Sequence, residues 1–280
     1  MSPPRPEPGA TLDHLCVHSA DPDRLAQFYE AAYALAKKPV PGGWLCEGPG
    51  RTLLITSGPP NTVACVAYRF ATRDVLAAFH DALRSKDLQL DKNVSPLFDD
   101  AGFALTDPDG NVVAFGVRQS PAIAGEEERL PARLQHCAFR TSKLDAMVGF
   151  YSALGFVVSD RVEDDAGALR ACFLRTDHEH HALALFGSPE TRLDHIACET
   201  RDSGAVIGWA DRLSAQRIPI HWGVGRHGPG NDIFFMVKDP DDNLLEISAE
   251  LEICAPERPT SRWRHEPRTL NLWGTAIMRS

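Results

Sequence analysis

The sequence predicts an α+β protein made of two tandem modules, and three observations carry that reading. An opening segment, Leu12-Asp13-His14, returns as Leu134-Gln135-His136. The helix expected after each copy has the same apolar positions. Leu25, Phe28, Tyr29 and Ala32 fall at i, i+3, i+4 and i+7, and Met147, Phe150, Tyr151 and Leu154 repeat that spacing 122 residues later. The later parts of the two halves also align. Leu76, Phe79 and Leu83 match Val206, Trp209 and Leu213, and Asp107-Pro108-Asp109-Gly110-Asn111 matches Asp239-Pro240-Asp241-Asp242-Asn243.

The first module is placed at residues 11–119. Its strands are expected at Leu12–Ser19, Thr52–Thr56, Val63–Phe70 and Val112–Val117, with helices over Pro22–Leu35 and Arg73–Ser85. Ser120–Glu128 reads as a linker, because it contains Pro, Gly and the acidic run Glu126-Glu127-Glu128, a solvated loop by composition. The second module is placed at residues 130–253. Strands are expected at Gln135–Thr141, Ala168–Leu174, Ala182–Phe186, Asp194–Thr200, Ile233–Val237 and Leu244–Ala249, with helices over Leu144–Leu154 and Ser203–Gln216. The segment 254–280, rich in Arg, Pro and Trp, has no counterpart in the first half and reads as a C-terminal tail.

Composition narrows the function classes. With 280 residues and 43% hydrophobic content, the chain can bury two cores of ordinary domain size. A formal charge of -9 argues against a nucleic-acid or anionic-membrane partner, because those surfaces attract basic patches. Small molecules remain as the expected ligands. The seven cysteines show no CxxC and no regular framework, so reduced thiols in the cytoplasm are the simpler account. Met1 to Gly9 is Pro-rich and lacks the apolar stretch of a signal peptide, and no window reaches a membrane span of about 18 apolar residues.

Carrying the repeat onto three positions turns it into a statement about chemistry. His14 corresponds to His136, Cys65 to His195 and Ala114 to Glu246. The second module therefore offers two imidazoles and one carboxylate, the donor set that leaves open positions on a non-haem Fe(II) ion. Alanine ligates nothing, so the first module is expected to be metal-free. Strand alternation predicts that Leu134, His136 and Ala138 share one face, as do Leu193, His195 and Ala197. Glu246 lies in the apolar run Leu244-Leu245-Glu246-Ile247, where an unpaired carboxylate is costly to bury and a metal removes the cost. Taken singly, each histidine also reads as a hydrogen-bonded core residue, and Glu246 as an edge charge facing water. The conjunction of three donors at homologous places favours a metal.

Together these residues resemble the type I extradiol ring-cleaving dioxygenases of the vicinal oxygen chelate superfamily. The likeness runs over about Leu12 to Ala249. It rests on Leu134-Gln135-His136, Leu193-Asp194-His195-Ile196-Ala197 and Asp239-Pro240-Asp241-Asp242-Asn243-Leu244-Leu245-Glu246. His180-His181-Ala182-Leu183-Ala184-Leu185 is similar to the family's stretch with an acid/base histidine, which implies that role for His181. Gly225-Arg226-His227-Gly228-Pro229-Gly230 is similar to its loop with a second catalytic, substrate-contacting histidine, which implies His227, 19 residues before Glu246. Read without the family, His178, His180 and His181 also suit an exposed loop, and His227 a turn. His221 reads as a loop residue.

The resemblance implies modules that are each a pair of βαβββ units, the glyoxalase or vicinal oxygen chelate fold. The first module is then degenerate, and the second holds Fe(II) through His136, His195 and Glu246, with Mn(II) suiting the same ligand types. It implies cleavage of a small catechol-type aromatic diol by O2 beside the diol, giving a muconic semialdehyde-type product, in a homo-oligomeric enzyme. One departure is plain: Met236 stands ten residues before the glutamate, where the family commonly has a tyrosine, and a thioether donates no hydrogen bond. Met236, Trp222 and Phe234 are expected to contact substrate, and the tail residues Trp263 and Trp273 are further candidates for an apolar pocket wall. Two other readings stay open. One is a non-oxidative metal-dependent relative, such as a glyoxalase-like isomerase or a thiol transferase; the other is a metal-free small-molecule binder of the same fold.

Overall fold

A computed structural model describes residues 8–86, 88–120 and 130–279. Apart from Ser120, the predicted linker with its acidic run lies outside the described residues, as do residues 1–7 of the Pro-rich start.

Each half is a pair of βαβββ units. The first unit is β1 (Thr11–Ser19), α1 (Pro22–Tyr33), β2 (Ala36–Val40), β3 (Gly43–Gly48) and β4 (Arg51–Ser57). The second is β5 (Val63–Arg69), α2 (Arg73–Arg84), β6 (Asp91–Lys92), β7 (Phe103–Thr106) and β8 (Val112–Gly116). The two join through antiparallel β1 and β5 at the centre of a sheet ordered β2-β3-β4-β1-β5-β8-β7-β6. The second half repeats the plan with β9 (Ala132–Thr141), α3 (Leu144–Ala153), β10 (Val157–Glu163), β11 (Leu169–Arg175) and β12 (Leu183–Gly187). It continues with β13 (Arg192–Thr200), α4 (Ser203–Ala215), β14 (Trp222–Arg226), β15 (Ile233–Lys238) and β16 (Leu244–Ala249). Its centre is antiparallel β9 and β13.

Helices α1, α2 and α4 start where side chains can satisfy their first free N–H groups. Asp21 accepts from Arg24 N, Thr72 from Val75 N and Asp202 from Ala205 N. Helix α1 buries Leu25, Tyr29 and Ala32, the stripe read from the sequence, and packs over β3 and β4. Strands β2, β7, β10 and β14 carry no strong sequence signal. Strand β2, Ala36-Lys37-Lys38-Pro39-Val40, is a largely exposed edge with a proline and no alternation.

The tail is not a separate piece. Residues Ser261–Arg264 form β17, which pairs in parallel with β10 at the edge of the second sheet, and Pro267–Leu270 form the short helix α5. Residues 271–279 run back over β14, with Leu272 N donating to Arg226 O and Trp222 Nε1 to Thr275 O, and reach the interior of the second module at Arg279.

The two repeated acidic turns explain part of the internal likeness. Asp107 Oδ1 accepts from the backbone N–H groups of Asp109 and Asn111, and Asp239 Oδ1 does the same for Asp241 and Asn243. Each turn then serves the other module. Tyr29 of α1 donates to Asp239 Oδ2 at 3.3 Å, and Tyr151 of α3 donates to Asp107 Oδ2 at 3.1 Å. One hydrophobic cluster runs through this junction, from Leu25 and Tyr29 to Leu134 and Tyr151. Among the described residues no helix is long and apolar enough to cross a membrane.

Candidate metal centre

His136, His195 and Glu246 lie on three neighbouring strands, and the register sets their spacing. Ala197 of β13 faces His136 of β9 on one side and Glu246 of β16 on the other, while His195 stands two residues earlier on β13. The alternation expected from sequence fails at both histidines. Pairing jumps from Leu193 to His195 and from Ala197 to Cys198 opposite His136 and Leu134, so Asp194 and Gln135 have no partner across the ladder. These are β-bulges, and each reverses the faces beyond it. Leu134 therefore points into the main core with Cys137 and Phe139, whereas His136 and Ala138 point the other way. Leu193 likewise joins the core away from His195.

The bulged residues hold the histidines. Gln135 Oε1 lies 2.5 Å from His136 Nδ1, and Asp194 Oδ1 lies 2.7 Å from His195 Nδ1. Gln135 Nε2 donates to His181 O at 2.7 Å, which leaves its Oε1 for His136. Both Nδ1 atoms thus carry the ring proton, and both Nε2 atoms present lone pairs. Those Nε2 atoms face each other at 3.0 Å. Glu246 Oε2 is 3.9 Å from His195 Nε2, and both of its carboxylate oxygens are buried without a hydrogen-bond partner. Burial pushes the Glu246 carboxyl above its usual range and holds His136 well below the usual imidazole value. Two opposed lone pairs and an orphaned carboxylate, all within 4.8 Å of one another, fit a divalent cation with N and O ligands.

His181 lies beside this centre, its ring 4.3 Å from that of His136 and only 3% exposed. His180, also buried, puts its Nδ1 3.0 Å from His181 Nδ1, and its Nε2 lies 3.2 Å from Asp160 Oδ2. Only His178 of the expected His-rich loop is exposed. Burial, then the neighbouring His136, keeps His181 well below the ordinary imidazole range.

His227 approaches from the opposite side, with Nε2 3.7 Å from Glu246 Oε2 and Nδ1 donating to Leu270 O at 2.6 Å. The Phe234 ring lies flat against His227, 3.7 Å between centroids, and Trp222 abuts both edge-on. Trp222 and Phe234 therefore back the cavity, while Met236 lines it together with His181 and His227. Trp273 is 56% exposed and forms no wall, and Trp263 Nε1 is spent on Asp160.

Sequence reasoning missed the cavity's cation and a second buried acid. Arg279, from the tail, makes two hydrogen bonds to Asp194 (3.0 and 3.2 Å) and packs over Phe186 and Trp222. Against the upward push of burial, Arg279 and His195 hold the Asp194 carboxyl well below its usual value. Asp232 is buried between His227 and Glu246, and burial pushes it to about 7. No sequence signal marks Arg279, which stands 85 residues from its partner.

Residues 133–247 match the family described as the Glyoxalase/Bleomycin resistance protein/Dioxygenase superfamily. The second module belongs to this superfamily. Other likenesses extend over more of the chain. Metapyrocatechase 2 of Cupriavidus necator is 30% identical over 55% of this chain and 54% of its own. Biphenyl-2,3-diol 1,2-dioxygenase 3 of Rhodococcus globerulus is 29% identical over 52% of this chain and 77% of its own. The chain thus spans about half the length of the first of these curated relatives. Among solved structures, homoprotocatechuate 2,3-dioxygenase from Brevibacterium fuscum, in complex with 3,4-dihydroxyphenylacetate, superposes with a TM-score of 0.82. That likeness covers 99% of this chain and 93% of that one at 22% identity. It shows that the likeness in fold extends across both halves.

Proposed function

We propose that the protein cleaves a small catechol-type aromatic diol with O2 at the bond beside the diol, using Fe(II) held by His136, His195 and Glu246. The observation that carries this reading is the pair of opposed Nε2 lone pairs next to an unpartnered Glu246, with a non-ligand imidazole, His181, at their side. The kinship with proteins named as extradiol dioxygenases supports it. Fe(II) bound there raises the acidity of a chelated diol and activates O2, chemistry open to Mn(II) in the same ligands as well.

The protein's own groups handle protons. The Asp160 carboxylate, 3.2 Å from His180 Nε2, favours the ring proton on that nitrogen, so that His180 Nδ1 accepts from His181 Nδ1–H. His181 Nε2 is then the free lone pair of a neutral imidazole, a base that takes a proton from a substrate hydroxyl and later returns it. His227, its Nδ1–H fixed on Leu270 O, offers Nε2 as an acceptor to the other hydroxyl. Met236 contributes apolar contact only. Phe173, Phe186 and Leu270 close the cavity against water. None of the seven cysteines is in a disulfide, which suits a reducing cytoplasm.

Oxygen uptake by anaerobically Fe(II)-loaded protein across a panel of substituted catechols tests the proposal. Consumption coupled to a yellow ring-fission product is expected. Full iron occupancy with no oxygen uptake on any catechol contradicts it and favours non-oxidative chemistry at the same metal.

A further inference from the structure

The first module places a second donor cluster where the second module has its metal centre. The ladders establish the equivalence residue by residue. Cys65 of β5 faces Cys16, two residues beyond His14, as His195 of β13 faces Ala138, two residues beyond His136. Ala114 faces Ala67, which faces His14, as Glu246 faces Ala197, which faces His136. Ala114 thus removes the carboxylate, the substitution from which the sequence predicts a metal-free first module, and a metal here departs from that expectation. The position of Ala138, however, is filled by Cys16, and its thiol replaces the lost donor. Cys16 Sγ and Cys65 Sγ are 2.9 Å apart, and the ligand atoms of His14, Cys16 and Cys65 all lie within 4.8 Å of one another.

We propose that His14, Cys16 and Cys65 form a zinc site that ties β1 to β5. Two thiolates and an imidazole are the soft donor set that zinc prefers over Fe(II) or Mn(II). The histidine is prepared as its counterparts are. Asp13 sits on a bulge between Leu12 and His14 and holds His14 Nδ1 at 2.7 Å, so the Nε2 lone pair accepts from Ser95 Oγ–H at 2.8 Å and exchanges that hydrogen bond for the ion. A carboxylate behind a histidine ligand raises its basicity and fixes its tautomer. His14 is fully buried and the two cysteines nearly so, under Leu45, Leu54 and Phe98. A dication with two thiolates and a neutral imidazole is a neutral unit, so it suits that apolar setting better than a charged site. Tetrahedral ligation at about 2.3 Å sets thiolates roughly 3.8 Å apart, so binding asks the two sulfurs to part by roughly 1 Å. A structural zinc there gives the degenerate module its own cross-link while the second module keeps the catalytic ion.

Cobalt substitution separates the two sites, because thiolate-to-Co(II) charge-transfer absorption arises only at a site with cysteine ligands. Protein with all seven thiols confirmed reduced by titration is loaded with Co(II). The near-ultraviolet band is expected in the wild type, undiminished in Glu246→Ala, and absent in Cys16→Ala, Cys65→Ala and His14→Ala. X-ray absorption of the zinc-loaded wild type, which needs no variant to fold, is expected to show two sulfur scatterers at about 2.3 Å. No band in the reduced wild type, only nitrogen and oxygen scatterers, or a band that survives loss of either cysteine overturns the proposal. So does a purified protein in which Cys16 and Cys65 are found only as a disulfide that, once reduced, takes up no zinc.

Discussion

His136 and His195 point their Nε2 lone pairs at each other across 3.0 Å, and each ring's only proton is committed to Gln135 or Asp194. Neither ring can rotate to relieve the opposition without breaking a buried hydrogen bond that contributes about 0.5–1.5 kcal/mol. Protonating one of them is opposed by burial, which holds His136 well below the ordinary imidazole range. A shared cation resolves the conflict and gives the stranded Glu246 oxygens a partner.

Glu246→Ala is therefore expected to fold and to lose most of its catalytic metal. Metal analysis after dialysis checks this, with Co(II) or Fe(II) read separately from any thiolate-bound ion. Wild-type retention of iron in a folded variant removes Glu246 from the ligand set.

Asp194→Asn keeps the shape of the side chain but removes the charge between His195 and Arg279. Loss of such a partner behind a ligand typically weakens metal binding about 10-fold to 100-fold. The apparent Fe(II) affinity, measured by competition with a chelator, is expected to fall in that range. Turnover at saturating iron is expected to stay closer to the wild type than affinity does. An unchanged affinity means that Asp194 serves the fold alone.

His181→Ala is expected to retain its iron and bind a catechol anaerobically, yet to turn over in O2 at least about 100-fold more slowly, the usual scale of acid/base assistance. Anaerobic titration followed by rapid mixing with O2 separates binding from chemistry. Normal turnover refutes the role, and loss of iron instead makes His181 a ligand or a structural residue. Without the hydroxyl that a tyrosine in place of Met236 brings, fewer groups are left to share that proton.

The Tyr29 and Tyr151 hydroxyls each reach across to the other module's acidic turn, so Tyr29→Phe and Tyr151→Phe are expected to cost stability in both modules together. Each removes one buried hydrogen bond, about 0.5–1.5 kcal/mol. Chemical denaturation should show a lower midpoint with one transition. Two separate transitions mean that the modules unfold independently of this junction.

The proposed metal donors stand out in the sequence because a duplication allows two copies to be compared, and Glu246 contrasts with Ala114. What the comparison could not supply was the direction of side chains. Gln135 and Asp194 sit next to their histidines in sequence, yet simple alternation places them on the opposite face; only the bulges make them partners. Cys16 was hidden for the same reason, as a residue two places past His14 whose counterpart is a plain alanine. Arg279 and Asp160 depend on chain returning from far away in sequence, which no local pattern records. The edge strand β2 lacked alternation because neither face of an exposed edge has to be apolar, and β17 alternates over only four residues, too short a run to stand out.

Mass analysis of the product formed under oxygen-18 gas tests the central claim most directly. The Fe(II)-loaded protein is incubated with a catechol that it consumes, and the ring-opened product is trapped before its aldehyde exchanges with water. Incorporation of both oxygen atoms from the gas, at one O2 per catechol, is the predicted result, and Glu246→Ala should give none. A product with oxygen drawn from water, or a rearranged product formed equally well without O2, would contradict an extradiol dioxygenase at His136, His195 and Glu246.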